Sequence, residues 1–169
     1  MILRASFFIL IFCASFALCL LTGCVSVSIE GKKSRRSENL SYQTPLEPFQ
    51  KIAAEQVDVA WKNQKTGAII SVVSDCGSDL DPTLEALRSE ILQGISNENI
   101  TREDRITFLG RAALRSWVSG KVDGVETALD LMIVKKDGCS YVFTLVSTPP
   151  QVVADRPFFE RFLQGVQTR

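Results

Sequence analysis

The segment ETALDLMIVKKDGCSYVFTLVS, residues 126–147, decides the fold, because it predicts two adjacent strands that are apolar on both faces. Lys135 to Gly138 is typical of the turn of a tight antiparallel hairpin. One side is predicted to carry Leu129, Leu131, Ile133, Tyr141, Phe143 and Leu145, and the other to carry Ala128, Met132, Val134, Val142 and Val146, interrupted by Asp130 and Thr144. Such a sheet needs cover on both faces.

Two amphipathic helices can supply that cover. The first is predicted to open with Asp81 as its N-cap and Pro82 in its first turn, and to end within Gly94–Asn97. The second is predicted to open at Asp155, after Pro149–Pro150 has ended the last strand. Their apolar stripes are Leu84, Leu87, Ile91, Leu92 and Ile95 in the first helix and Phe158, Phe159, Phe162, Leu163 and Val166 in the second.

The remaining strands complete one domain, predicted over residues 56–169. A first hairpin is expected before the helix, and four strands after it, with the charged run Arg102–Arg105 as a solvated turn between helix and sheet. The strand ranges are 57–61, 68–74, 106–109, 112–120, 126–135 and 140–147. The order ββαββββα predicts an α+β fold, an α/β/α sandwich with a mainly antiparallel sheet.

The first 24 residues indicate export. An apolar run from Phe7 to Leu21 follows the single basic residue Arg4, as in a secretory signal. The run ends in Leu21-Thr22-Gly23-Cys24, which resembles the lipobox of bacterial lipoproteins. That resemblance implies a signal peptide over residues 1–23, cleavage before Cys24 and attachment of a diacylglycerol, with acyl chains such as palmitate, to the Cys24 thiol. The alternative is an uncleaved membrane anchor, but the run is shorter than the roughly 17 to 25 residues that span a bilayer.

Residues 24–55 are predicted to form a flexible tether behind the lipid. They are polar, with a basic cluster at Lys32, Lys33, Arg35 and Arg36 that is read as solvated linker or as a contact with anionic lipid. In many Gram-negative lipoproteins the residue after the lipidated cysteine determines the membrane, and an aspartate there is associated with retention in the inner membrane. This sequence has Val25 at that position. In a Gram-negative bacterium, the lipoprotein resemblance therefore implies the periplasmic face of the outer membrane.

Cysteine use fits an exported protein. The mature domain keeps only Cys76 and Cys139, an even pair that predicts a disulfide, with two separate buried thiols as the alternative. A C-x-x-C redox motif is missing from the sequence.

Composition excludes several function classes. The 169 residues carry 19 basic and 19 acidic side chains, which argues against a nucleic-acid partner. The sequence has no histidine, so Ser-His-Asp and Cys-His catalysis and His-ligated zinc are impossible. We therefore expect no catalytic residues, no cofactor and no metal. The acidic loop with Asp75, Asp79 and Asp81 departs from the EF-hand pattern, and Asp81 has a structural use as a cap.

The most suggestive set of residues is a basic and aromatic strip on one predicted strand. Alternation places Arg111, Arg115, Trp117 and Lys121 on one face, suited to an anionic or aromatic partner. The alternative is that a helix buries Trp117, while the arginines line the rim of the sheet and pair with Asp123 or Glu126.

The order of elements resembles the PsbP-like and Mog-type fold, which occurs in photosynthetic extrinsic proteins, a Ran-binding protein and many small bacterial lipoproteins. The resemblance covers residues 57–167. It rests on Trp61, Gly67-Ala68, Gly124, the strand start Gly138-Cys139-Ser140-Tyr141 and the aromatic last helix. It implies a fold and no activity, because one fold supports many functions.

Two functions follow as hypotheses. The first is a non-enzymatic, membrane-anchored binding or assembly accessory of the cell envelope, held by lipid at Cys24 and contacting an envelope protein. The second is a small-ligand carrier or enzyme with a pocket between the sheet and the last helix, near Phe158 and Phe162. Close packing of these two side chains against Tyr141 and Phe143 would exclude that pocket.

Overall fold

The computed structural model describes residues 35–77 and 81–169 of the chain. Nine strands and two helices lie in these residues. The strands are β1 (Leu40–Ser41), β2 (Phe49–Ile52), β3 (Val59–Asn63), β4 (Ile69–Cys76), β5 (Ser96–Phe108), β6 (Arg111–Val122), β7 (Val125–Lys136), β8 (Cys139–Ser147) and β9 (Gln167–Thr168). The helices are α1 (Leu84–Leu92) and α2 (Pro149–Gln164).

Seven strands form one antiparallel sheet in the order β2-β3-β4-β8-β7-β6-β5. Helix α1 packs on one face, where Leu84 and Leu92 join a buried cluster with Leu131. Helix α2 packs on the other face, where Phe159 and Phe162 join a larger cluster. The predicted α/β/α sandwich with a mainly antiparallel sheet is therefore confirmed.

The β7–β8 hairpin has the predicted turn but a different pairing of its faces. Asp137 and Gly138 have φ of 53° and 75°, as a two-residue hairpin turn requires, and they pair Lys136 with Cys139. This register puts Met132 opposite Phe143, so the odd positions of β7 do not share a face with the odd positions of β8. Both faces are apolar, as expected, but the predicted assignment of β8 side chains to them was wrong. A shift of one position exchanges the faces of a whole strand.

The tether is shorter than the sequence suggests, because residues 35–55 pack into the domain. Strand β2 pairs with β3 along four residues, and β1 pairs with β9 at the end of the chain. Phe49 is buried and contacts Phe158 of α2, with ring centroids 5.6 Å apart. The partner of β1 lies at the other end of the chain and the partner of β2 is the next strand, and the composition of the segment reveals neither pairing.

Both helices begin at residues other than those predicted. Helix α1 is capped by Thr83, whose Oγ1 accepts a hydrogen bond from Ala86 N at 3.1 Å, while Asp81 forms an ion pair with Lys135. Helix α2 begins at Pro149, six residues before Asp155, because proline fits the first turn of a helix. No helix within the described ranges is long and apolar enough to span a membrane.

Strand β5 begins ten residues earlier than predicted, at Ser96, and Arg102–Arg105 lies within it. This run was expected to be a solvated turn because its residues are charged; they are mostly exposed, but they lie in a strand. The strand is an edge of the sheet, and charged side chains together with two register shifts are typical of protected edges. Because side chains alternate along a strand, consecutive residues of the run face α1 and α2 in turn.

Candidate functional site

Two of the four strip residues meet beneath helix α2, and the other two lie at the ends of β6. Lys121 pairs with Glu126 on β7 at 3.1 Å, whereas the alternative interpretation of the strip expected the arginines to pair there. Arg111 lies at the opposite end of β6, beside the β7–β8 turn. Arg115 and Trp117 are in the middle of the strand on the α2 face.

A buried network of ion pairs surrounds Arg115. Its Nε and Nη2 donate to the two carboxylate oxygens of Asp130, each at 3.0 Å, and Nη2 also contacts Glu160 Oε1 at 2.6 Å. Arg156 Nε donates to Asp130 Oδ2 at 3.1 Å. Asp130 on β7 is fully buried, and its three close contacts with arginines connect β7 to β6 and to α2.

The network favours the charged form of Arg115. Burial alone would lower the pKa of the Arg115 guanidinium, but the hydrogen bonds and negative charges of Asp130 and Glu160 outweigh burial and raise it. The side chain is therefore a fixed cation held in one orientation.

Trp117 is half-buried and stands among three guanidinium groups. The Cζ atoms of Arg102, Arg115 and Arg156 lie 4.7, 4.8 and 5.8 Å from its ring centroid. These distances are within the range of cation–π attraction. Its Nε1 is buried and has no hydrogen-bond partner among the described residues.

A groove runs along α2 between that helix and the edge strand β5, and we call it the α2–β5 groove. Its polar end, a cavity of about 340 Å³, is lined by Thr101, Arg102, Trp117, Arg156 and Glu160. Its apolar end, of about 400 Å³, includes Ile106, Phe108, Leu109, Leu163 and Val166. Glu160 lines both ends, so the two cavities adjoin at this side chain.

Sequence reasoning missed most of this groove. Arg102 was assigned to a turn, and Asp130 was noted only as an interruption of an apolar face. Arg156 and Glu160 were not singled out, because the second helix was judged by its apolar stripe alone. The isolated acidic residue in the apolar strand β7 was the available signal, since a buried carboxylate requires a cationic partner.

The pocket predicted near Phe158 and Phe162 is filled by side chains. Phe162 is buried against Trp61 and Phe143, with ring centroids 5.4 and 6.3 Å apart. Tyr141 belongs to the same buried cluster. The remaining cavity beside Phe158 is about 40 Å³, close to the volume of a single water molecule. This packing contradicts a ligand pocket at that position.

Pairs of hydroxyl and carboxylate groups elsewhere in the sheet are structural. Ser116 donates to Glu103 Oε2 at 2.7 Å, and Arg88 of α1 pairs with the same oxygen. Burial would raise the pKa of Glu103, but the hydrogen bonds from Arg88 and Ser116 and the nearby arginine charges lower it. A carboxyl group with a lowered pKa is a poor general base at neutral pH.

The disulfide predicted between Cys76 and Cys139 is present, with the Cα atoms 4.1 Å apart and the two residues directly paired in β4 and β8. Among the described residues no group of three potential metal ligands converges. Asp79 of the acidic loop and Cys24, the predicted lipidation site, lie outside the described residues.

No protein-family model matches the sequence, and no curated protein sequence matches it. Solved structures do resemble the fold. LpqN, described as involved in cell envelope biogenesis of Mycobacterium tuberculosis, has a TM-score of 0.59 at 13% identity, covering 83% of this chain and 88% of its own. Cyanobacterial PsbP (CyanoP) from Synechocystis has a TM-score of 0.57 at 13% identity, covering 89% and 99%.

A third similar structure is a Pseudomonas aeruginosa protein of unknown function, described as a putative regulator. It has a TM-score of 0.52 at 15% identity, covering 82% of this chain and 87% of its own. At such low identity the three similarities establish the fold alone. The predicted resemblance to the PsbP-like fold is confirmed at that level.

Proposed function

We propose that this protein is a lipid-anchored, non-enzymatic accessory of the bacterial cell envelope that binds a partner protein through the α2–β5 groove. The anchor is the acylated Cys24, on the periplasmic face of the outer membrane. The observation that carries the proposal is the groove itself, which is polar at one end and apolar at the other. The arginines beside its tryptophan are held in place by hydrogen bonds to the fully buried Asp130.

The groove suits a protein partner better than catalysis. Arginine and tryptophan are enriched among the residues that dominate binding energy at protein interfaces. Because Arg115 and Arg156 are already held by Asp130, little side-chain freedom is lost when a partner binds. The hydroxyl groups that donate to a carboxylate, such as Ser116 to Glu103, belong to residues outside the lining of the groove.

The comparisons are compatible with this role. The similar structure of LpqN is described as belonging to envelope biogenesis, and CyanoP is a PsbP protein. Neither description assigns an activity to this chain, and both fit an accessory protein at a membrane.

Crosslinking in intact cells tests the partner surface. A photoreactive amino acid replaces Ile106, which is exposed at the apolar end of the groove, and in a matched strain it replaces Thr107, which is exposed on the opposite face of β5. We expect a discrete adduct from position 106 that is missing from position 107. Equal patterns from both positions, or no adduct from position 106, would refute the proposed surface.

The anchor is tested by the intact mass of protein extracted from membranes. We expect the mass of residues 24–169 plus acyl chains, and loss of membrane association in Cys24→Ala. A full-length mass in the wild type would instead mean that the signal is not removed.

A further inference from the structure

We infer that the α2–β5 groove binds an extended peptide segment that carries a carboxylate about four residues from an apolar side chain. This deepens the proposed function, on which it rests, by assigning a chemistry to the partner. The carboxylate lies at the polar end beside Arg102 and Arg156, and the apolar side chain lies at the end formed by Ile106 and Leu163.

The polar end has the donors that a carboxylate needs. Arg102 is two-thirds exposed, with one contact to Asp104 at 2.6 Å, and Arg156 is one-third exposed and uses its Nε for Asp130. Asp104, Asp130 and Glu160 balance the charges of the arginines around this end, but Arg102 and Arg156 each contact a carboxylate through one nitrogen and have further N–H groups that can donate to an incoming carboxylate. Guanidinium groups form strong, directional hydrogen bonds to carboxylates.

The spacing of the two ends matches an extended chain. Arg102 and Ile106 lie on the same face of β5, four residues apart, and the pairing with β6 is regular between them. At the rise per residue of a β-strand, the backbones of Arg102 and Ile106 are about 13 Å apart. An extended peptide beside β5 therefore places an acidic residue and an apolar residue four positions apart.

A peptide fits the groove better than a fatty acyl chain of the same length. Glu160 is 42% exposed and stands between the two ends, so an acyl chain would have to pass an ionised carboxylate. A peptide backbone crosses the same point with N–H groups that can donate to Glu160. Burying a charged oxygen against a chain without donors is unfavourable.

Selection from a phage-displayed library of random dodecapeptides on the full-length protein in detergent tests the inference. We expect enrichment of sequences with Asp or Glu four positions from a large apolar residue. A selected peptide is then measured by fluorescence anisotropy with the wild type and with Arg102→Gln, for which we expect about tenfold weaker binding.

Arg105→Gln is the matched control, because the side chains of Arg102 and Arg105 are each 66% exposed and each pairs with one carboxylate, but on opposite faces of β5. We expect this variant to bind like the wild type. Enrichment of other sequences, equal effects of the two variants, or tighter binding of laurate than of the selected peptide at this site would overturn the inference. An adduct at position 106 in cells together with any of these results would reject the peptide chemistry and leave the proposed function standing.

Discussion

Asp130 is the residue on which the organisation of the groove depends. It is fully buried and accepts hydrogen bonds from Nε and Nη2 of Arg115 and from Nε of Arg156. Strands β6 and β7 and helix α2 therefore meet at one carboxylate. Desolvation of an unpaired charge costs several kcal/mol, and each arginine that faces Asp130 offsets part of that cost. A single acidic residue therefore fixes two cations in the floor of the groove.

Replacing Asp130 by Asn should be strongly destabilising. The amide preserves the shape but removes the charge that compensates the buried Arg115, so we expect a loss of about 3 kcal/mol in the free energy of unfolding. Urea denaturation measures this loss. Asp104→Asn, which weakens one half-exposed pair with Arg102, is the control and should cost less than about 1 kcal/mol. Equal losses in the two variants would contradict a special role for Asp130.

Glu103 makes the free energy of unfolding depend on pH in the acid range. Its pKa is lowered in the folded protein from the ordinary value of 4.5, because hydrogen bonds from Arg88 and Ser116 and nearby charges outweigh the opposing effect of burial. Its contribution is therefore complete above about pH 4.5 and is lost as the pH falls through the lower folded pKa. We expect the difference in unfolding free energy between wild type and Glu103→Gln to shrink below pH 4.5. A difference that stays constant from pH 6 to pH 3 would contradict this assignment.

At the scale of elements, the connection between α1 and β5 depends on a glycine in the neighbouring strand. A Cβ atom at Gly120 of β6 would lie 2.4 Å from Ile95 Cγ2 and 2.9 Å from Ser96 O. The chain leaving α1 passes so close to β6 that no side chain fits at this position. The start of β5 is thereby set by contact with β6, and the charged sequence of β5 did not predict it.

Gly120→Ala should therefore destabilise the protein, by about 1 to 3 kcal/mol as is usual for overpacked positions. Thermal unfolding followed by circular dichroism measures the effect. Ser119→Ala, at the adjacent position of β6, is the control and should be nearly neutral. An unchanged Tm in Gly120→Ala would mean that β5 and the preceding loop move away at no cost.

At the scale of the whole molecule, the disulfide closes a loop that contains α1 and the strands β5, β6 and β7. Cys76 and Cys139 are 63 residues apart, and they join β4 to β8 at the centre of the sheet. The unfolded chain gains most entropy when a long loop is opened, so this link stabilises the fold chiefly through the unfolded state.

Removing the disulfide, by reduction or in the double variant Cys76→Ala and Cys139→Ala, should lower the free energy of unfolding by about 4 kcal/mol in the chain-entropy model. Urea denaturation with and without a reductant measures this. Reduced wild type and the double variant should agree within about 1 kcal/mol, since the lost constraint is the same. A wild type whose unfolding midpoint does not respond to reduction would contradict the prediction.

Local pattern in the sequence determined the sandwich. The two apolar faces of residues 126–147, the Asp137-Gly138 turn and the apolar stripes of both helices are visible without the structure, because each depends on neighbours in the chain. The pairing of Cys76 with Cys139 followed from their number. Absence of histidine likewise limited the chemistry from the outset.

Tertiary structure alone decided the groove and the place of the N-terminal strands. Asp130 meets Arg156 across 26 residues, and buried Asn63 donates to Asp155 across 92 residues at 2.7 Å. Strands β1 and β2 find their partners in β9 and β3. Such contacts depend on the order of strands in the sheet and on the register of each pair, which the burial of the entire core fixes and no local run of residues encodes.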